Sequence, residues 1–255
     1  MPTLVPIHPK QRVCSRFQRI LPVFVWDASV LEDNPITFPE IQALLAGVVL
    51  RSRQSSDQEQ VLNLVLSAKY LLSLINGEQF ELTKTTFVEL HNLVACHEAL
   101  EWGVFRGEGQ ETNYTPNVGL GELGRYTPLP TATQAPELNR VFEEGLVVLE
   151  ICPPFEKSLA FFLFGALQPF FFDGNKRTSR FMMNGILMSN GIDAINIPAN
   201  KAHVFNEKMV RFYLTKNATE MMIFLVDCHP NAAQTYAHNS NLKFATQLDH
   251  HQTES

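Results

Sequence analysis

One stretch decides the fold predicted for this chain: Gln168-Pro169-Phe170-Phe171-Phe172-Asp173-Gly174-Asn175-Lys176-Arg177-Thr178-Ser179-Arg180. It follows a run of helix-compatible residues, 158–168, and from Lys176 onward apolar residues recur at helical spacing. That second segment ends at Asn190-Gly191, a good C-terminal cap. The stretch is therefore predicted to be a tight turn between two helices.

The turn carries groups that bind phosphate. Gly174 and Asn175 tolerate the backbone angles of a tight turn, so the free amides of the next helix can point at one anion. Arg177 and Arg180 share a helix face, and both guanidinium groups can reach the same point. Asp173 adds the carboxylate that a magnesium ion accompanying a nucleotide requires. A solvated basic helix start would explain Gly-Asn alone, but it does not explain the whole string.

The string resembles the motif of the Fic family, His-x-Phe-x-Asp/Glu-Gly-Asn-Gly-Arg-x-x-Arg, which lies between two helices. Fic proteins typically transfer AMP from ATP to protein hydroxyl groups. The resemblance implies an all-α, Fic-type helical bundle with a small β-hairpin flap. It also implies that Asp173 binds Mg²⁺, that Gly174 and Asn175 form the anion-binding turn, and that ATP phosphates contact Arg177 and Arg180.

The first half of the motif departs from the family. The family's general base is a histidine four residues before the acid, a position that falls on Pro169, or on Gln168 if one phenylalanine is an insertion. Neither side chain accepts a proton near neutral pH, so the target hydroxyl has no usual base. Gln168 and Asp173 are the candidate catalytic residues.

Two functional classes stay open. In the first, the chain transfers a group from ATP to a protein hydroxyl, with the base replaced by Asp173, by the substrate or by a flap residue. In the second, it is a degenerate Fic protein that binds a nucleotide or a partner without chemistry. A structural helical module is a third alternative.

Lys176 stands where most Fic proteins have glycine. The Doc branch of the family also reads Asn-Lys-Arg, and its members bind ATP in the reverse sense and act as kinases on proteins. Lys176 adds bulk and charge at the phosphate position, so it is a candidate nucleotide-binding residue, and phosphate transfer joins AMP transfer as an expected reaction. Doc proteins keep the histidine that this chain lacks.

A second region supports the resemblance: Trp26-Asp27-Ala28-Ser29-Val30-Leu31-Glu32-Asp33-Asn34-Pro35-Ile36-Thr37. It is similar to the inhibitory-helix motif of self-restrained Fic proteins, Ser/Thr-x-x-x-Glu-Gly/Asn, although Ala28 and Asp33 do not match. The resemblance implies that Glu32 pairs with Arg180 and blocks the site of the nucleotide's terminal phosphate. The alternative is an exposed helix-end glutamate beside a Thr37 N-cap. Ser55-Ser56-Asp57-Gln58-Glu59 has similar spacing and ranks lower.

The rest of the chain is predicted to be mainly helical. Apolar residues recur at three and four over residues 39–50 and 58–75. Further helices are expected from residue 83 and over 139–150, 205–212 and 219–226. Residues 1–24 show little periodicity and are expected to form an irregular arm. His91 lies on an apolar helix face, where a hydrogen-bonded core histidine is favoured over a catalytic one.

Residues 103–136 interrupt the helices with dense Gly, Pro, Thr and Asn, which predicts a long loop. In Fic proteins this stretch follows a Gly-x-aromatic-Arg, which Gly103-Val104-Phe105-Arg106 resembles, and holds a hairpin flap that pairs with the target's backbone. Tyr126-Thr127-Pro128 would be its far strand. The predicted division is an N-terminal helical region with the candidate inhibitory helix (1–84), a Fic core (85–230) and a disordered polar tail (231–255).

The composition and charge of the chain limit the classes of partner that it is expected to bind. The chain has 255 residues, 45% of them hydrophobic, which suits one globular unit. A net charge of −6 argues against nucleic acid and anionic membranes, and the apolar run 159–172 is too short to span a bilayer. Scattered cysteines and no signal-like N-terminus favour a reducing cytoplasm. The expected partners are ATP, Mg²⁺ and a protein target, and a homo-oligomer is left open.

Overall fold

A computed structural model describes residues 5–232. Within this range the chain forms one two-stranded antiparallel sheet, β1 (Val118–Gly119) with β2 (Arg125–Tyr126), and nine α-helices. The helices are α1 (Lys10–Val30), α2 (Phe38–Leu45), α3 (Ser55–Asn76), α4 (Lys84–Val94), α5 (Pro136–Glu150), α6 (Pro154–Leu167), α7 (Asn175–Ser189), α8 (Ala202–Thr215) and α9 (Thr219–Cys228). The predicted all-α fold with a small hairpin is confirmed.

The hairpin of α6 and α7 is the centre of the molecule. Every residue of α7 from Arg177 to Met188 is buried. Its apolar side chains enter both hydrophobic clusters: Phe181 and Met182 join α1, α3 and α4 on one side, while Met183 joins α8 and α9 on the other. A helix that is covered all round is fixed in position, so the turn that precedes α7 has a rigid support.

The irregular arm predicted for residues 1–24 is wrong from residue 10 onward. Helix α1 begins at Lys10 and passes through Pro22 without ending. Val13, Phe17 and Phe24 are buried on one face, and α1 packs mainly against α3. The proline removes one intrahelical hydrogen bond, but the buried face offsets this loss because tertiary packing supplies most helical stability in proteins.

The long loop predicted between α4 and α5 is present, and it contains the predicted hairpin. Val118 is opposite Tyr126, and Gly119 is opposite Arg125. The far strand therefore begins one residue earlier than predicted. The hairpin lies over the α6–α7 turn, since Val118 and the turn line the same cleft.

The predicted disordered tail covers residues 231–255, and from residue 233 onward it lies outside the described residues. No helix within residues 5–232 combines the length and the apolar character needed to cross a membrane. The division into three regions at residues 84 and 230 stays a prediction.

Candidate nucleotide-binding site

The turn before α7 is held in shape by Gly174 and Asn175. Gly174 caps the helix with φ at 71°, a left-handed conformation, and a Cβ there would come 3.1 Å from the Ala95 Cβ. Both facts favour glycine. The Asn175 side chain closes the turn, because its Nδ2 donates to Phe171 O at 2.9 Å and its Oδ1 accepts from Phe171 N at 2.9 Å.

The amides at the start of α7 are available to an anion. The first intrahelical hydrogen bond runs from Thr178 N to Gly174 O, at 2.9 Å. The three preceding amides, of residues 175–177, therefore have no carbonyl partner of their own helix. Together with the helix dipole they make the mouth of α7 suited to a phosphate group.

His91 supports the turn from behind. Its ring is fully buried and stacks on Phe171 with 3.6 Å between ring centroids. Nε2 lies 3.0 Å from Asp173 O, and Nδ1 accepts from Gly103 N at 3.1 Å. Burial lowers the pKa of His91 to about 3, so the ring is neutral and carries its proton on Nε2. The contacts are those of a hydrogen-bonded core histidine.

Asp173 is the exposed acid of the turn. Its side chain is 64% exposed, its Oδ1 accepts from Gly174 N at 2.6 Å, and its Oδ2 lies 3.7 Å from Arg177 Nη2. Across residues 5–232 no cluster of three His, Cys, Asp or Glu side chains could hold a metal unaided. A single exposed carboxylate fits Mg²⁺, which usually keeps several waters and binds one or two carboxylates together with substrate phosphates.

The structure brings Glu32 to two of the basic residues. Arg180 is 2% exposed, and its Nη2 lies 3.2 Å from Glu32 Oε1. Lys176 Nζ lies 3.7 Å from Glu32 Oε2. Burial lowers the pKa of Arg180, and the Glu32 carboxylate opposes that shift. Glu59, the competing candidate, is an exposed residue of α3 and does not line the cleft.

The turn after α1 explains why Asp33 can stand at the Gly/Asn position of the inhibitory motif. Asp33 has φ at 57°, in the left-handed region that aspartate tolerates better than most residues. Asn34 is buried; its Oδ1 accepts from Ile36 N at 3.0 Å and its Nδ2 donates to Gln60 Oε1 at 2.9 Å. The Glu32 turn is thereby tied to α3.

Arg177 is paired with a residue that the sequence reasoning missed. Its side chain is 3% exposed, and Nη1 donates to Glu98 Oε2 at 2.7 Å. Glu98 lies in the loop after α4 and also accepts from Gln60 Nε2 at 2.9 Å. The two members of the ion pair are 79 residues apart, and no spacing in the sequence connects them.

Residues 168–172, where the family motif has its histidine, contribute Pro169 and Phe172 to the cleft. Pro169 lines it, whereas Gln168 caps the C-terminus of α6 and does not line it. A catalytic role for Gln168 stays a prediction. Phe171, two residues before the acid as in the family motif, is fully buried. Tyr213 also lines the cleft, but its hydroxyl donates to Ala166 O at 2.9 Å and burial raises its pKa.

Arg106 fastens the hairpin loop to the motif. Its guanidinium is fully buried and donates to Pro169 O at 2.6 Å, to Thr131 Oγ1 at 2.7 Å and to Leu129 O at 2.7 Å. Its backbone amide donates to Phe170 O at 2.9 Å. Burial lowers the pKa of Arg106 to about 10, which leaves it charged at neutral pH. The Arg106 side chain thus connects the loop that carries the hairpin to the backbone just before the turn.

These groups surround one cleft. Its volume is about 190 Å³, and its walls are the turn, the first hairpin strand and Glu32. The lining residues are Glu32, Pro116, Asn117, Val118, Ala166, Pro169, Phe172, Asp173, Gly174, Asn175, Lys176, Arg177 and Tyr213. A second cavity, of about 560 Å³ between the hairpin and α8, shares Val118, Lys176 and Tyr213 with it.

The sequence of this chain is similar to those of several protein adenylyltransferases. It is 24% identical over 181 residues to the protein adenylyltransferase fic-1 of Caenorhabditis elegans and 26% identical over 217 residues to the protein adenylyltransferase Fic of Drosophila willistoni. These alignments cover 69% and 81% of this chain, but only 33% and 39% of the relatives. The chain therefore spans about a third to two fifths of the length of these curated relatives. No family model matches it.

Solved structures agree. Fic-1 of C. elegans superposes with a TM-score of 0.69 at 15% identity, over 92% of this chain and 71% of that one. A Fic-domain signalling protein of Bacteroides thetaiotaomicron gives 0.64 at 15% identity, over 90% and 91%. The chain has the Fic fold. The resemblance to the Fic family drawn from the motif is confirmed, and so is the Fic-type helical bundle with its hairpin.

Within this Fic fold, the predicted site residues other than Gln168 lie at or beside one cleft. Asp173, Gly174, Asn175, Lys176 and Arg177 line the cleft together with Glu32. Arg180 does not line the cleft but contacts Glu32, which does. The roles assigned to these residues in binding a nucleotide, holding Mg²⁺ and restraining the site stay predictions.

Proposed function

We propose that this Fic-type chain binds ATP with Mg²⁺ at the turn 173–180, and that Glu32 restrains this binding. The observation that supports it best is the anion site at the mouth of α7. There Lys176 and Arg180 both contact the Glu32 carboxylate, an anion of the chain itself, and the amides of residues 175–177 have no carbonyl partner in their helix. Helix termini and paired basic groups of this kind bind phosphate.

Each residue has a distinct task in the proposed complex. The amides of residues 175–177 hold a phosphate group, and Arg180 binds the terminal phosphate once Glu32 has moved away. Asp173 holds Mg²⁺, which would neutralise phosphate charge as it builds up during transfer. The hairpin and α8 border the larger cavity, where the rest of the nucleotide fits.

The geometry favours binding over efficient transfer. AMP transfer requires a base to take the proton of the target hydroxyl, and neither Pro169 nor Gln168 can do so. The curated relatives are protein adenylyltransferases, which supports AMP transfer for the family. The second candidate function is therefore a slow transferase in which Asp173 takes the proton, because it is the exposed carboxylate at the turn. Phosphate transfer is tested by the same experiment.

The deciding experiment incubates the purified chain with Mg²⁺, cell lysate and ATP labelled in turn at the α and γ phosphates. We expect calorimetry to show ATP binding while neither label is transferred. Transfer of the α label would identify an adenylyltransferase, and transfer of the γ label a kinase. Absence of ATP binding, both in the wild type and after removal of the Glu32 carboxylate, would contradict the proposal. A protein target, a cytoplasmic location and the lack of nucleic-acid or membrane partners stay predictions.

A further inference from the structure

A line of hydrogen bonds connects the Glu32 turn with Arg177. Asn34 Nδ2 donates to Gln60 Oε1 at 2.9 Å, and Gln60 Nε2 donates to Glu98 Oε2 at 2.9 Å. The same Glu98 oxygen accepts from Arg177 Nη1 at 2.7 Å. Three parts of the fold, the turn after α1, helix α3 and the loop after α4, therefore meet at one motif arginine.

Glu98 holds one end of the Arg177 guanidinium. Arg177 lines the cleft and Glu98 does not. While Nη1 is bound to Glu98, Nη2 lies 3.7 Å from the Asp173 carboxylate. A planar guanidinium that is held at one end has its other end directed, because its donors form a rigid fork. Glu98 thus fixes the direction in which Arg177 faces the proposed Mg²⁺ and phosphate position.

The turn that carries Glu32 is connected to two arginines of the motif, Arg180 and Arg177. Glu32 contacts Arg180 directly, and Asn34, two residues later, reaches Arg177 through Gln60 and Glu98. The residue between them, Asp33, is in the left-handed conformation, so the turn is a tight unit. If Glu32 leaves the cleft with this turn, the bond between Asn34 and Gln60 is disturbed as well.

We propose that Glu98 is a positioning residue that orients Arg177, and that Gln60 couples Glu98 to the turn carrying Glu32. This inference rests on the proposed function, since it describes how the same site is regulated. The bonds through Gln60 stabilise the closed turn, and ATP binding has to displace Glu32 from that turn. Weakening the bonds at Gln60 therefore favours ATP only while Glu32 is present to be displaced.

The test is a double-mutant cycle on ATP affinity, measured by calorimetry with Mg²⁺. Gln60→Met removes both hydrogen bonds while keeping a side chain of similar length on α3. We expect it to tighten ATP binding about threefold in the wild type, on the scale of a net hydrogen bond. In the Glu32→Ala background we expect a change of less than about twofold. Equal effects in both backgrounds, or weakening in the wild type, would overturn the coupling.

Gln58 provides a matched control on the same helix. Its side chain bonds the backbone of Leu50 and Arg53 rather than Glu98. We expect Gln58→Met to leave ATP affinity unchanged. A threefold gain with Gln58→Met would show that any loosening of α3 acts in the same way, which overturns a specific role for Gln60.

Glu98 is tested by a pair of variants. Glu98→Ala is expected to weaken ATP binding about tenfold, and Glu98→Gln to recover part of that loss, because its amide oxygen can still accept from Arg177. Tighter binding by Glu98→Gln would mean that Glu98 competes with phosphate for Arg177 instead of orienting it. That result overturns the positioning role.

Amide hydrogen exchange of the chain without nucleotide tests the link between Gln60 and the Glu32 turn independently of ATP binding. Gln60→Met is expected to increase exchange of the backbone amides of residues 31–36 relative to Gln58→Met. If no variant binds ATP, including Glu32→Ala, the proposed function fails, and the exchange result alone judges the link between Gln60 and the turn. Unchanged exchange over residues 31–36 would overturn that link even if ATP binds.

Discussion

The two halves of the motif differ in what they keep. Residues 173–180 carry an exposed acid, a left-handed glycine and three basic side chains around one cleft. Residues 168–172 carry no group that accepts a proton near neutral pH, and Phe170 and Phe171 are fully buried. The second half, 173–180, has the groups proposed to bind phosphate, whereas Phe170 and Phe171 of the first half are part of the core. The chain therefore carries the proposed phosphate-binding groups without the base of the family motif.

Residues 168–172, the apolar half of the motif, make contacts that substitutions would disrupt. Phe171 packs against Phe87 and Phe105 and stacks on His91. Arg106 binds the carbonyl of Pro169, one of the two candidate positions of the family's histidine, and holds the backbone in place there. The backbone there is held although no base is present, so we predict that a substitution can supply the base.

The largest expected effect comes from restoring the base. Pro169→His is expected to raise AMP transfer by about a hundred- to ten-thousand-fold over the wild type, the usual worth of a general base. Labelled AMP incorporation into the chain or into lysate measures it. Gln168→His is the matched variant, and we expect a smaller gain because Gln168 does not line the cleft. Robust transfer by the unmodified chain would show that Asp173 or a hairpin residue already takes the proton.

The next effect concerns the phosphate half. Arg177→Ala is expected to weaken ATP binding by about 1.5 to 3 kcal/mol, the scale of hydrogen bonds to a charged group. Calorimetry measures the affinity. Because the variant leaves Glu98 without its buried partner, thermal unfolding must show that the chain is still folded. Arg140→Ala, an exposed arginine of α5, is the control. Equal affinity of Arg177→Ala and the wild type would remove Arg177 from the site.

The sequence was sufficient to predict the parts of the site that are local. The helix start, the left-handed Gly174 and the shared face of Arg177 and Arg180 follow from spacing within a few residues. Most helices were also predicted, because their apolar residues recur at three and four. These features depend on neighbours along the chain, which a sequence displays directly.

The features that could not be predicted depend on distant contacts. Glu98 and Gln60 are ordinary polar residues in the sequence, and only the packing of α3 against the loop after α4 brings them to Arg177. Helix α1 was missed because residues 1–24 show little apolar periodicity, while the burial of Phe17 and Phe24 decides in its favour. Tertiary contacts override local preference in both cases.

A third prediction uses His91, which joins the two halves by contacting Phe171 and Asp173. Its folded-state pKa of about 3 is below the ordinary value of 6.5, so between these values the unfolded chain binds a proton that the folded chain does not. The free energy of unfolding should therefore fall as pH falls below about 6.5, by up to about 1.4 kcal/mol per pH unit.

Urea unfolding between pH 7 and pH 5 measures this slope. His91→Gln is expected to make the total loss of unfolding free energy between pH 6.5 and 5 smaller by about 2 kcal/mol. Part of the slope should remain, because burial also lowers the pKa of His229. His203→Gln, at an exposed position of α8, is the control. An unchanged slope in His91→Gln would mean that the ring does not stay neutral in the folded chain.

The smallest expected effect tests whether the phosphate half is restrained. Glu32→Ala removes the carboxylate that contacts Arg180 and Lys176, so the phosphates of ATP no longer compete with it. We expect ATP to bind about tenfold more tightly, or about 1.4 kcal/mol, somewhat less than a full charged hydrogen bond because Glu32 regains water when displaced. Glu59→Ala on α3 is the control and should change nothing. If Glu32→Ala binds ATP with wild-type affinity, the contact with Arg180 stabilises the fold without restraining the site, and the two halves of the motif differ only in their chemistry.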